Sequence, residues 1–302
     1  MAADGAGVHA CEWRAGHRDR ARLRDRRYGG DPLHGSRLDR HSFRRGAVTP
    51  SLASIDLNSD LGEGAGTDAE LMPLISSANI ACGAHAGDES TMRETVALAR
   101  RYRVAIGAHP GYPDRANFGR VAMPLTDDEL SDDVARQIRA LERVDPDLKI
   151  GHVKAHGALY NQGERDSRVA KAIVAGVVEV FPMRSDVALY APPKSAMVDA
   201  ALDAGLRVVR EGFVDRAYES DGTLRSRKLP GALHTDPQVA AKQALSFVRD
   251  GGVRAHDGSF LDLVVDTLCL HGDTPGAAAI AAAVRAALDA AGVKVRAAVI
   301  WP

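Results

Sequence analysis

The chain has 302 residues, 45% of them apolar, and a formal net charge of −1. That length can bury a large core as one or two domains. A charge so near zero gives no electrostatic reason to expect nucleic acid or an anionic membrane surface as partner.

Residues 1 to about 50 differ from the rest. They hold 11 arginines against 6 acidic residues, with sparse apolar residues and no helical or strand period. Such a segment cannot bury enough apolar surface to fold, so it reads as a disordered, Arg-rich extension. It lacks the apolar core and small-residue cleavage site of a secretory signal. Residues 51–302 read as a single catalytic domain.

From Leu52 onward short apolar runs end in polar or glycine-rich loops and alternate with helices. The predicted strands are Ala53–Asn58, Ala78–Cys82, Val104–Ala108, Lys149–Val153, Val187–Ala191, Arg207–Arg210 and Val264–Leu270. Each is short and mostly apolar, as parallel strands covered on both faces are. Thr126-Asp127-Asp128-Glu129 is a capping box opening a helix that runs through Val144. Asp236-Pro237 opens a helix ending at Gly251, and Thr274-Pro275 opens an alanine-rich helix ending at Gly292. His256-Asp257-Gly258-Ser259 reads as a hairpin turn before the last strand. Seven strand–helix units with polar residues at nearly every strand's C-terminal end favour a closed parallel β/α barrel, in which catalytic groups sit at those ends.

Strand one carries Asp56, Asn58 and Asp60 on one face, with Glu63 on the following loop. Carboxylates so close repel, so one is expected to be protonated or paired with a cation. Strand two leads to His85 and Asp88, the latter placed to cap the next helix. Strand three leads to His109-Pro110-Gly111 and on to Arg120. Strand four leads into Gly151–Asn161, where His152, Lys154 and His156 share one face. Three basic side chains make a poor hydrophobic core and a good site for an anionic group, although a solvated edge strand is the alternative. Strand six leads to Glu211, Asp215 and Arg216. The last strand ends at His271-Gly272-Asp273-Thr274, where Asp273 or Thr274 must cap the next helix. Three cysteines, Cys11, Cys82 and Cys269, without CxxC spacing indicate reduced thiols in a cytoplasm. No apolar run approaches the roughly 20 residues of a membrane span.

The strings Asp56–Glu63, Ser77–Gly83, Ile106–Pro113, His152–Asn161 and His271–Pro275 resemble the LamB/YcsF family, from about Ile55 to the C-terminus. The sequence departs from the family pattern at Ala84 (usually Phe), Ala155 (usually Pro), Ser59 (usually Cys) and Val214 (usually Ala). The resemblance implies a seven-stranded β/α barrel similar to the glycoside hydrolase and carbohydrate-deacetylase barrels. It also implies ATP-dependent opening of 5-oxo-L-proline to L-glutamate, as the A subunit of a 5-oxoprolinase with partner subunits B and C. The residues expected to act in catalysis are Asp56, Asn58, Asp60, Glu63, His85, His109, Lys154 and His156. Those expected to bind substrate are Arg120, His152, Asn161, Glu211, Asp215, Arg216, His271 and Asp273. Lys154, Arg120 and Arg216 can meet carboxylate or phosphoryl oxygens, and Asp56, Asp60, Glu63 or His109 can act as base. ATP, with Mg2+, is the expected co-substrate, yet no G-x-x-x-x-G-K-[ST] loop occurs, so ATP meets either this chain or one of its partners. Two rival readings stand beside this one. The first is a metal-dependent amide or carbohydrate hydrolase, with Asp60, His85 and His109 as ligands. The second is a non-catalytic lactam-binding or scaffolding subunit.

Overall fold

In the computed structural model, residues 53–183 and 187–299 are described. The expectations for residues 1 to about 50, including free Cys11, lie outside them.

The strands, in chain order, are β1 (Ser54–Leu61), β2 (Ser77–Ala81), β3 (Ala105–His109), β4 (His152–Lys154), β5 (Ala188–Ala191), β6 (Arg207–Phe213), β7 (Gly252–Arg254), β8 (Phe260–Asp262), β9 (Thr267–His271) and β10 (Lys294–Val295). The helices are α1 (Asp68–Leu71), α2 (Glu89–Tyr102), α3 (Asp127–Glu142), α4 (Gly157–Arg165), α5 (Ser167–Val180), α6 (Ala196–Asp203), α7 (Pro237–Asp250) and α8 (Ala277–Ala290). Seven strands, β1-β2-β3-β4-β5-β6-β9, pair in parallel, and β1 pairs with β9 to close the barrel. Strand β10 adds to the start of β1, and β7–β8 form the expected antiparallel hairpin.

Local chemistry explains the helix boundaries. Asp88 caps α2 by accepting from Thr91 N, and Thr126 with Glu129 forms the capping box of α3. Asp236 caps α7 and Gly251 ends it in the left-handed region. Helix α8 departs from expectation. It begins after Gly276, and neither Asp273 nor Thr274 caps it. The Thr274 hydroxyl donates to Asp215 instead, at 2.7 Å, and the polar residues there serve the barrel mouth. Strand β1 also runs further than expected, to Leu61, because its carboxylate-bearing half is buried inside the barrel. Strand β9 begins at Thr267, three residues later than predicted.

The apolar core lies between the strands and the helices, around Leu57, Leu61, Ile80, Ile106, Val153, Leu189, Leu268 and Leu270. The barrel interior is polar. Asp56, Asn58, Asn79, His152, Lys154, Glu211 and Thr267 are buried there. Register sets their neighbours: Asp60 lies beside Asn79 on β2 and His271 on β9, and Gly107 lies beside both Asn79 and His152. The His152 ring fills the space over Gly107, where an added Cβ would stand 2.1 Å from Nε2. It stacks on Tyr190, with ring centroids 4.1 Å apart, and shares a 2.8 Å hydrogen bond with Asn79 Oδ1. No helix among the described residues is long and apolar enough to cross a membrane.

The ring has no room to retreat, so Gly107→Ala should overpack the interior and destabilise by about 3 kcal/mol. For a domain of this size that is a fall of roughly 6–12 °C in Tm. Thermal unfolding of the variant checks it, and an unchanged Tm would show that the interior yields.

Candidate active site

The C-terminal ends of the strands surround a cavity of about 330 Å³. Its inner wall carries Asp60, Glu63, Lys154, His156, Tyr160 and His271, and its mouth carries Arg120, Arg216, Arg227 and Lys228. Asn161 and Ala155 also line it. The basic mouth residues Arg227 and Lys228 come from the long loop between β6 and α7, where the run Arg225-Ser226-Arg227-Lys228 was an available sequence signal.

Lys154 is buried at the centre. Its Nζ lies 2.8 Å from Asp60 Oδ1, 3.0 Å from Glu211 Oε1 and 3.0 Å from Cys269 Sγ. Burial alone would lower the lysine's pKa, but Asp60, Cys269 and Glu211 together outweigh it, and Lys154 sits well above the usual range. Burial would likewise raise the Asp60 carboxyl, and His109 with Lys154 holds it well below its usual value. The anionic group that the basic strand was expected to attract is therefore supplied by the protein itself. Cys269 is a free, buried thiol, and burial raises its pKa well above the usual value. Asn79 donates to both Asn58 Oδ1 and Asp60 Oδ1, at 2.7 and 2.8 Å, and Asn58 donates to Glu211 Oε1 at 3.0 Å. Asn79 and Cys269 thus belong to the network; neither was expected as a site residue, although Asn79 lies within the family string Ser77–Gly83.

Asp56 lies deeper and does not line this cavity. Its carboxylate accepts from Ser76, Ser77, Tyr190 and Thr267, and burial raises its pKa despite these hydroxyls. Of the two β1 carboxylates, Asp60 is thus held by a cation and Asp56 by neutral donors. His152 also lies below the cavity. Burial, then Lys154, pushes its pKa down to about 3.

A second cluster stands beside the first. Glu63 Oε1 is 3.1 Å from His156 Nδ1, 3.3 Å from His85 Nε2 and 3.6 Å from His109 Nε2. His109 Nε2 is 3.0 Å from His156 Nδ1 and 3.3 Å from Asp60 Oδ2. The His85 and His156 rings stack at 3.8 Å. The loop after β3 packs against both rings through Gly119, at φ +63°, where a Cβ would lie 2.8 Å from His85 Cβ. Burial would raise Glu63, but the His156 and His85 rings beside it hold it well below the usual range. Burial lowers His85 to about 4.

On the far side, His271 Nδ1 pairs with Asp215 at 3.0 Å, and His271 Nε2 lies 3.9 Å from Asp60 Oδ2. Burial would raise Asp215, but His271 brings it down to about 2. At the mouth, Asp273 pairs with Arg120 and with Arg227, the latter at 3.3 Å. Arg216 donates to Arg225 O at 2.7 Å, and burial with Arg227 lowers its pKa to about 10. Buried Glu211 Oε2, Tyr160 OH and Arg216 Nε have no hydrogen-bond partner among the described residues, leaving unused polar capacity around the cavity.

A sequence model of the LamB/YcsF family matches residues 55–300. The chain belongs to this family. LamB/YcsF relatives resemble it over nearly their whole length. A protein of Chloroflexus aggregans, named as the A subunit of 5-oxoprolinase, is 50% identical over 252 residues, which is 81% of this chain and 99% of that one. One of the same name from Pyrococcus furiosus is 46% identical, covering 80% and 96%. The crystal structure of a lactam utilization protein from Thermus thermophilus superposes with a TM-score of 0.75 at 45% identity, covering 81% and 99%. The LamB/YcsF barrel of this chain is thus the expected seven-stranded one.

Two outcomes follow from the buried charges. Lys154→Met strands Asp60 and Glu211 without their cation and should cost about 3–5 kcal/mol in urea unfolding. Adding Asp60→Asn and Glu211→Gln should recover part of that loss, and a cost below about 1 kcal/mol would show that the ammonium is dispensable. His152, neutral in the fold down to about pH 3, takes up a proton in the unfolded chain near the ordinary imidazole value of about 6.5. Stability should therefore fall as pH drops from 6.5 towards 3. His152→Gln should flatten that slope in a series of Tm measurements, and an unchanged slope would assign the acid sensitivity elsewhere.

Proposed function

We propose that this chain acts as the A subunit of an ATP-dependent 5-oxoprolinase. It would open 5-oxo-L-proline to L-glutamate with release of ADP and phosphate, in the cytoplasm, together with partner subunits B and C. The observation that carries the reading is a cavity with an acidic and imidazole inner wall and a cationic mouth. It occurs in a chain 50% identical to a protein named as a 5-oxoprolinase A chain, along nearly that protein's whole length.

The lactam is a resonance-stabilised amide and resists water. Transfer of the γ-phosphoryl group of ATP to its oxygen makes the ring carbon electrophilic. Water then adds, the ring C–N bond breaks with a proton going to nitrogen, and the γ-glutamyl phosphate so formed is hydrolysed by a second water to the γ-carboxylate and phosphate. Such chemistry needs cations for the carboxylate and phosphoryl oxygens, and a base for water. In this reading Arg120, Arg216, Arg227 and Lys228, which line the cavity, would meet the first need, and Asp60, Glu63 or His156 would meet the second. A cavity of about 330 Å³ is at the small end of ligand sites and has room for a five-membered lactam and a phosphoryl group. With no phosphate loop in the chain, ATP and its Mg2+ would meet the lactam either through the cations at the mouth or from one of the partner chains.

Reconstitution of this chain with subunits B and C should yield glutamate and phosphate from 5-oxoproline and ATP. In that complex Asp60→Asn should lower turnover about a hundredfold or more, the upper range for loss of an acid–base group. An inactive wild-type complex, or wild-type rates in the variant, would overturn the assignment.

A further inference from the structure

We propose that Glu63, His85, His109 and His156 form a binding site for one divalent transition-metal ion of the zinc class, set into the cavity's inner wall. The inference does not depend on the activity proposed above.

The ring protons decide it. Carbonyl oxygens only accept hydrogen bonds. His109 Nδ1 lies 2.8 Å from Lys154 O, and His156 Nε2 lies 2.9 Å from Phe118 O. Both nitrogens therefore carry protons and donate outward. In the neutral rings this leaves His109 Nε2 and His156 Nδ1 as bare lone pairs, and these two face each other at 3.0 Å. Two lone pairs at that distance repel unless a cation lies against both. Glu63 Oε1, 3.1 Å from His156 Nδ1 and 3.3 Å from His85 Nε2, adds a third donor, and the His85 ring, stacked in parallel on His156 at 3.8 Å, would turn to aim its Nε2 at the same ion. An imidazole fixed by a backbone carbonyl on its far nitrogen is the usual support of a metal-binding histidine.

The spacing fits an ion. For metal–nitrogen bonds of about 2.0–2.1 Å, the corners of a tetrahedron are about 3.3–3.4 Å apart. Four of the donor-to-donor distances are 3.0, 3.1, 3.3 and 3.6 Å, and all four donor atoms lie within 4.8 Å of one another. Three imidazoles and one carboxylate suit Zn2+, Co2+ or Mn2+ better than Mg2+ or Ca2+, which prefer all-oxygen sets. Charge agrees as well. With the imidazoles neutral, Asp60, Glu63 and Glu211 are set against the ammonium of Lys154, an excess of two negative charges in a buried space. A dication would balance it. Asp60 stands between the two cations, with Oδ1 on Lys154 and Oδ2 towards His109, and so screens the ammonium from the ion. This set differs from the Asp60, His85 and His109 combination expected from sequence: Glu63 and His156 enter, and Asp60 becomes a neighbour. Glu63 and His156 also line the cavity, so the ion would stand at its wall.

The test uses the full chain, stripped with chelator and reloaded with Co2+. Expected are about one equivalent of bound Co2+, the intense visible absorption of a tetrahedral ion, and a Tm raised over the stripped protein. His156→Gln and Glu63→Gln, each checked for a folded circular dichroism spectrum, should lose the absorption and bind Co2+ at least tenfold more weakly. Zn2+ should displace Co2+ and bleach the spectrum. No retained metal, or Co2+ binding that survives both substitutions unchanged, would overturn the proposal. The first result would mean that a proton, not a metal, lies between His109 and His156.

Discussion

One buried ammonium holds the centre of this barrel together. Lys154 projects from β4 into a space where Asp60 from β1 and Glu211 from β6 converge, and burial leaves it no water to fall back on. Desolvation of three charges is unfavourable, and only close, well-aligned contacts offset it. The surrounding amides are arranged accordingly: Asn79 and Asn58 direct their N–H groups to the same carboxylates. A barrel filled this way relies on its polar interior for specificity and on the strand–helix layer for hydrophobic stabilisation.

Much of this was legible in the sequence. Short apolar runs located all seven barrel strands, because strands covered by helices leave few polar residues in their middles. Alternation placed Asp56, Asn58 and Asp60 inward together. The partners were not legible. Asp60 and Lys154 are 94 residues apart, and they meet only because the barrel closes in one register. The same closure separates two residues that looked equivalent: Asp56 ends among hydroxyls below the cavity, and Asp60 at its wall. Thr274 looked like a helix cap because Thr-Pro is a capping signal. Its hydroxyl serves Asp215 instead, an interaction from a distant strand end that no local pattern reveals.

The imidazole cluster shows the same limit in another form. His109 and His156 each stood out as a histidine beside a proline or glycine at a strand end, and His85 as one between two nearby glycines. What brings them into one ring is the loop after β3, whose Gly119 leaves room for two stacked imidazoles. Sequence identified the ligand-capable residues, and packing decided which of them share a centre.

The arginines at the mouth have a further consequence. Asp273 already holds Arg120 and Arg227, bridging the loops that follow β3, β6 and β9. An anion arriving at these two guanidinium groups must compete with a carboxylate of the fold. Recognition at this entrance is an exchange of partners, so its selectivity is set by the difference between the newcomer and Asp273. A neutral molecule has nothing to offer in that exchange. An anion with several oxygens can engage both guanidinium groups while releasing Asp273 to solvent. A rim of this kind would favour an anion with several oxygens over a neutral molecule.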